Sequence, residues 1–98
     1  MAVHVLALTV DLHLPSCHSL KEKRAVVKTI IEGSRHRFGV SSAETDHQDK
    51  WQRAELGFAV VSGSPGQAEQ VIDDVDRFVW SFPEAEVLQS LRTWSEPD

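Results

Sequence analysis

VHVLALTVDLHLPSCHSLKEKR, residues 3–24, carries two structural periods back to back. From Val3 to Leu14, the side chains of Leu6, Leu8, Val10, Leu12 and Leu14 fall on one side. Val3, Val5, Ala7, Thr9, Asp11 and His13 fall on the other, the two-residue alternation of a strand. Pro15 ends it. Ser19 followed by Glu22 has the spacing of a capping box, in which each side chain satisfies the other residue's free backbone N–H, so a helix starts at Ser19. Leu20, Val27, Ile30, Ile31 and Phe38 then recur near the 3.6-residue period, while Lys21, Arg24, Lys28 and Arg35 fall largely elsewhere. One stripe is therefore buried and the basic side is wet. Gly33 or Gly39 marks the helix end.

Working outward, Val40 to Asp46 reads as a polar edge strand, since Ser41, Ser42, Glu44 and Thr45 offer little to bury. Arg53 to Ser62 alternates again, with Ala54, Leu56, Phe58 and Val60 on one face, and His47 to Gln52 is the hairpin connection. Ser64-Pro65-Gly66-Gln67 repeats the helix-start signal. Ala68, Val71, Ile72, Val75, Phe78, Val79 and Phe82 give the second helix its buried stripe, and Pro83 terminates it. Glu86 to Trp94 is a final strand with Val87, Leu88, Leu91 and Trp94 as its apolar members, and residues 95–98 form a loose tail. This order specifies one α+β domain over residues 1–98, a ferredoxin-like β-α-β-β-α-β sandwich with two helices on one face of an antiparallel four-stranded sheet. An open three-stranded sheet or a swapped final strand suits the same pattern.

With 98 residues, 41% hydrophobic and 26% charged, the chain has the composition of a water-soluble domain and room for one core. Val3 to Val10 is far short of the ~20 apolar residues of a membrane span, and the start lacks the basic n-region of a secretion signal. A lone Cys17 forms no internal disulfide, which together with these absences places the protein in the cytoplasm. The net charge of −5 works against indiscriminate binding to phosphate backbones, and no DNA specificity is expected. That average hides a division. Residues 19–37 hold six basic side chains against two acidic ones, whereas residues 61–98 hold two basic against eight acidic.

SLKEKR at 19–24, QDKWQRA at 48–54 and Leu56-Gly57, in this order and spacing, resemble the YlxP family of small bacterial proteins over nearly the whole chain. Members open their first helix on S-L-K-x-K-R and enter their third strand through Q-D-x-W-Q-R-A. The resemblance implies a ferredoxin-like fold and a place near translation, because the family's genes often lie beside those of initiation and ribosome-maturation factors. It supplies no catalytic residue. The acidic second helix and the loop histidines His18 and His47 depart mildly from the family pattern, which weakens any reading of the whole surface as built for nucleic acid.

In this topology the start of the first helix and the hairpin share one end of the sheet, so the two motifs should meet. Ser19, Lys21, Lys23, Arg24 and Lys28 would then lie near Gln48, Asp49, Trp51 and Arg53, and free helix N–H groups beside cations suit a phosphate. On this reading the partner is RNA or a ribosomal particle, contacted without catalysis. A structural reading stands beside it: Asp49 bridges Lys23 or Arg24, Trp51 caps the hydrophobic layer, and Gln48 fixes the turn. The open sheet face, with Val3, Val5, Ala7, Ala59 and Val61, offers a surface for a homodimer, unless the last strand and Trp94 fold over it. A third reading is a small-molecule enzyme acting through Asp49 and His47. His13, Cys17, His18 and His47 match no metal-ligand spacing, and neither metal nor cofactor is expected.

Overall fold

In the computed structural model, which describes residues 2–95, strands β1 (His4–His13), β2 (Ser41–Asp46), β3 (Arg53–Ser62) and β4 (Glu86–Ser95) form one antiparallel sheet in the order β2-β3-β1-β4. Helices α1 (Leu20–Phe38) and α2 (Pro65–Trp80) complete a β-α-β-β-α-β order. The alternation of β1 sends Leu6, Leu8, Val10 and Leu12 into the core, where Ala54, Leu56 and Phe58 of β3 join them in register. α1 packs on the β2 side and α2 against β1, β3 and β4. No helix of the described residues is long and apolar enough to cross a membrane.

Both helix entrances form from local sequence. Ser19 Oγ accepts from the Glu22 N–H at 3.1 Å, and Ser64 Oγ from the Gln67 N–H at 3.4 Å with Pro65 inside the first turn. The Glu22 carboxylate reaches one residue further back than the expected box, accepting from the His18 N–H at 2.6 Å. Gly39, at φ 69°, ends α1 in a left-handed cap that residues with a side chain rarely adopt.

Two differences from the sequence reading concern burial. The stripe of α1 is Lys23, Val27, Ile30, Ile31 and Ser34, so two polar residues occupy core positions while Leu20 is only half-buried. β4 is an in-plane edge strand beside β1, and of its apolar residues only Val87 packs against the core. Leu6 pairs with Trp94, so the indole lies on the helix side of the sheet and does not fold over the open face. Ser95 belongs to β4; residues 96–98 of the expected loose tail lie outside the described residues.

The helices touch where Gly33 meets Phe78, whose ring is stacked edge-on with Phe38 and Phe82. A Cβ at residue 33 would lie 2.6 Å from the Phe78 ring tip. Overpacking costs about 1–3 kcal/mol, and replacing a helical glycine returns up to about 1 kcal/mol. Gly33→Ala should therefore lower stability by about 1 kcal/mol, measured as the urea midpoint; an unchanged or higher midpoint would show that the helices are not held at this contact.

Candidate functional site: a basic helix entrance locked to a tryptophan hairpin

The chain leaves β1 through a pairing that outlasts the strand, with the Leu14 N–H donating to the Gln52 carbonyl at 2.9 Å. Gln52 also turns its side chain across the gap. Its Nε2 donates to the carbonyls of Cys17 at 3.1 Å and Pro15 at 3.4 Å, clasping the β1–α1 loop to the hairpin. The two motifs thus meet, as the topology requires.

What joins them is Lys23. Its side chain is 0% exposed, and its Nζ lies 2.9 Å from Glu44 Oε2 on β2. The ammonium also donates to the carbonyls of His47 at 2.7 Å, Gln48 at 3.3 Å and Arg53 at 3.4 Å. His47 takes a left-handed backbone, φ 65°, and closes a tight turn in which the Lys50 N–H donates back to its carbonyl. The loop therefore wraps its carbonyls around a cation carried in by the helix, and Gln48 braces it by donating to the Glu44 carbonyl at 3.3 Å.

The other motif residues divide around this lock. Lys21, Arg24 and Lys28 are exposed and lie within one angular sector of α1, away from the buried stripe. Among the described residues, Lys21 and Arg24 enter no ion pair, and Lys28 has only a 4.0 Å contact with Glu32. Asp49, Lys50 and Trp51 are exposed at the hairpin. Trp51, 49% exposed, lines a shallow hollow of about 350 Å³ with Asp49, His18, Ser19 and Leu20. Ser19 stands at this hollow with its hydroxyl already committed to the helix cap.

Three placements depart from the sequence expectation. Lys23 points inward and is not a surface cation; its partner is Glu44, not Asp49. Arg53 shares the open sheet face with His13 and binds Asp11 at 2.7 Å, so only its carbonyl belongs to the lock. Trp51 is half exposed and lies outside the core cluster. Glu44 and Gln52 were missed as participants, and the sequence carried a signal only for the need of a carboxylate beside Lys23. Lys23 lies four residues before Val27 and seven before Ile30, inside the stripe, and a buried ammonium demands a carboxylate.

Near the lock, burial raises the Cys17 thiol above its ordinary pKa, and the charges of Glu22 and Glu84 push in the same direction. A thiol held protonated is a poor nucleophile. The hollow gathers Asp49 with one histidine, and among the described residues no three His, Cys, Asp or Glu side chains are grouped to hold a metal.

Two helices on one face of this sheet, the first fastened to a tryptophan-bearing hairpin by a buried lysine, define a ferredoxin-like α+β domain. The chain belongs to the family described as proteins of unknown function (DUF503), whose match spans residues 5–92. The protein of Bacillus subtilis (strain 168) described as uncharacterized protein YlxP is 45% identical over 76 residues, covering 78% of this chain and 83% of that one.

Removing one partner from a buried ion pair costs about 3–5 kcal/mol, whereas an exposed cation changes stability by about 0.5 kcal/mol or less. Lys23→Met should therefore lower the unfolding free energy by about 3 kcal/mol in urea titrations, and Lys21→Met should leave it nearly unchanged. Equal effects of the two substitutions would contradict the lock.

Proposed function

We propose that this protein is a non-enzymatic RNA-binding protein, acting on free RNA or on a ribosomal particle in translation or ribosome maturation. The observation that carries this reading is the set of exposed cations Lys21, Arg24 and Lys28 beside the exposed Trp51. Seven residues of helix place Lys21 and Lys28 about 10 Å apart, a spacing that can follow successive phosphates of one strand. Lys50 adds a cation at the hairpin, and the indole offers a face on which an unpaired base can stack. The gene neighbourhood implied by the resemblance to the YlxP family points the same way. The sheet face that RNA-binding domains of this fold commonly use for stacking carries no aromatic ring here: Ala7, Thr9, Gly57 and Ala59 occupy its centre.

Binding of a fluorescent single-stranded RNA, titrated at several salt concentrations, tests the proposal. Replacing Lys21, Arg24 and Lys28 together by alanine should abolish detectable binding or flatten its salt dependence by about three phosphate contacts. Trp51→Ala should weaken binding at least several-fold. Identical titrations for wild type and the triple variant would remove the proposal.

A second reading concerns the opposite surface. Val3, Val5, Ala7, Ala59 and Val61 lie on or beside the sheet face that the helices leave open, and Val61 is 68% exposed. We infer that this face supports self-association. Sedimentation equilibrium should show a concentration-dependent dimer that Val5→Asp or Val61→Asp disrupts; a strict monomer at high concentration, unchanged by either substitution, would refute it.

A further inference from the structure

The open face has a shape that can be read row by row across the sheet. Ala43, Gly57, Thr9 and Leu91 face one another on β2, β3, β1 and β4. The next row is Ser41, Ala59, Ala7 and Thr93, and beyond it come Val61, Val5 and Ser95. Small residues leave a hollow of about 330 Å³ that runs from Ala43 and Thr45 on β2 across Gly57 and Ala59 on β3 to Ala7 and Thr9 on β1. On the β4 side of the same rows stands Leu91, 54% exposed. A knob and a hollow thus share one row, the knob on the β4 edge and the hollow reaching the β2 edge.

We propose that a second copy of this chain covers this face about a two-fold axis parallel to the strands, so that Leu91 of each copy enters the hollow beside Ala43 and Gly57 of the other. The proposal rests on the reading of the open face as a self-association surface and adds its geometry. Rotation about such an axis exchanges β4 with β2 and β1 with β3 while keeping every row at its own level, which places each knob over a hollow twice over. The other in-plane axis, across the strands, lays β4 on β4. Leu91 then meets Thr93 or Ser95, and the row of Asp11 and Glu55 is carried toward the apolar rows.

Area sets the strength. Four strands about 4.8 Å apart and up to ten residues long span roughly 19 by 33 Å, about 600 Å² per copy and 1,200 Å² in all. That is the lower limit of stable interfaces, so the dimer is reversible. Charge sets the salt response. Keeping each row at its level brings the Asp11, Glu55 and Glu86 ends of both copies together, with Arg53 on Asp11 and the His13 ring 3.1 Å from Glu86, so carboxylates still outnumber the one permanent cation. Association should therefore tighten as salt screens this repulsion, opposite in sign to the binding of RNA.

Sedimentation equilibrium combined with cysteine cross-linking separates the possible failures. Leu91→Ala and Ala43→Leu, both at exposed strand positions, should each weaken dimerisation at least tenfold while leaving circular dichroism unchanged. In a Cys17→Ala background, mild oxidation of L91C mixed with A43C should give a disulfide-linked dimer of one of each, and L91C alone should give none. A monomeric wild type overturns both the self-association reading and this geometry. A wild-type dimer disrupted by Val61→Asp, yet indifferent to Leu91→Ala and Ala43→Leu or cross-linking as L91C alone, overturns the geometry and leaves the face. A dimer indifferent to Val5→Asp and Val61→Asp assembles elsewhere and overturns both.

Discussion

The ammonium of Lys23 is fully buried, and the site at the end of the sheet is arranged around that condition. Desolvating such an ion costs several kcal/mol even after the protein relaxes, and one carboxylate seldom repays the full amount. Here Glu44 supplies the charge and three backbone carbonyls supply the remaining acceptors. Those carbonyls come from a loop and a strand start that would otherwise face solvent, so satisfying the lysine and shaping the hairpin are one event. The left-handed backbone at His47 fits this account, because it closes the turn whose carbonyl lies nearest the ammonium.

From that lock follows the division of the basic motif. In Lys21-Glu22-Lys23-Arg24, four consecutive charged residues take three different roles because successive helical positions turn by about 100°. Lys23 is inside, Glu22 caps the helix, and Lys21 and Arg24 face water. The hairpin motif divides likewise. Gln52 clasps a loop, Gln48 braces the turn, Arg53 serves the open face, and Trp51 with Asp49 is left at the surface. A motif of charged and polar residues is thus mostly architecture. The part left exposed without a structural role is the smaller remainder, Lys21, Arg24, Lys50 and Trp51.

The fold was legible because its signals are local and agree with one another: period two in β1 and β3, capping serines before both helices, and Gly39 and Pro83 at the exits. The meeting of the two motifs was legible too, since it follows from topology alone. The direction of Lys23 was harder to read, because a lysine in an apolar stripe is ordinarily taken for a surface residue, and Glu44 lies 21 residues away. β4 misled for the opposite reason. Its leucines and Trp94 look like core residues, but an edge strand has a neighbour on one side only, and the helices cover little of it. Long-range partners such as Asp11 for Arg53, 42 residues apart, leave no trace in local sequence.

The position of β4 also changes the meaning of the acidic helix. Arg92 on β4 binds Asp73 at 2.6 Å and lies 3.5 Å from Asp76, while Ser90 reaches Asp76 at 3.3 Å. The hydrogen bond that Arg92 donates to Asp73 raises the guanidinium above its ordinary pKa. Pairs this exposed contribute about 1 kcal/mol or less, so they are not what holds the strand on the sheet. Their effect is on register. A slip of one residue would turn Leu91 toward the helices and Arg92 away, and burying a leucine favours that slip by about 1.5–3 kcal/mol. Against it stand the carboxylates of Asp73 and Asp76, which would lose their cation, and the irregularity opposite Asp11 and Leu12, which fixes how β4 meets β1. Val87, packed against the core, would leave the core in the same slip and offset that gain, so Val87 and the irregularity hold Leu91 on the open face, and the exposed ion pairs add at most about 1 kcal/mol.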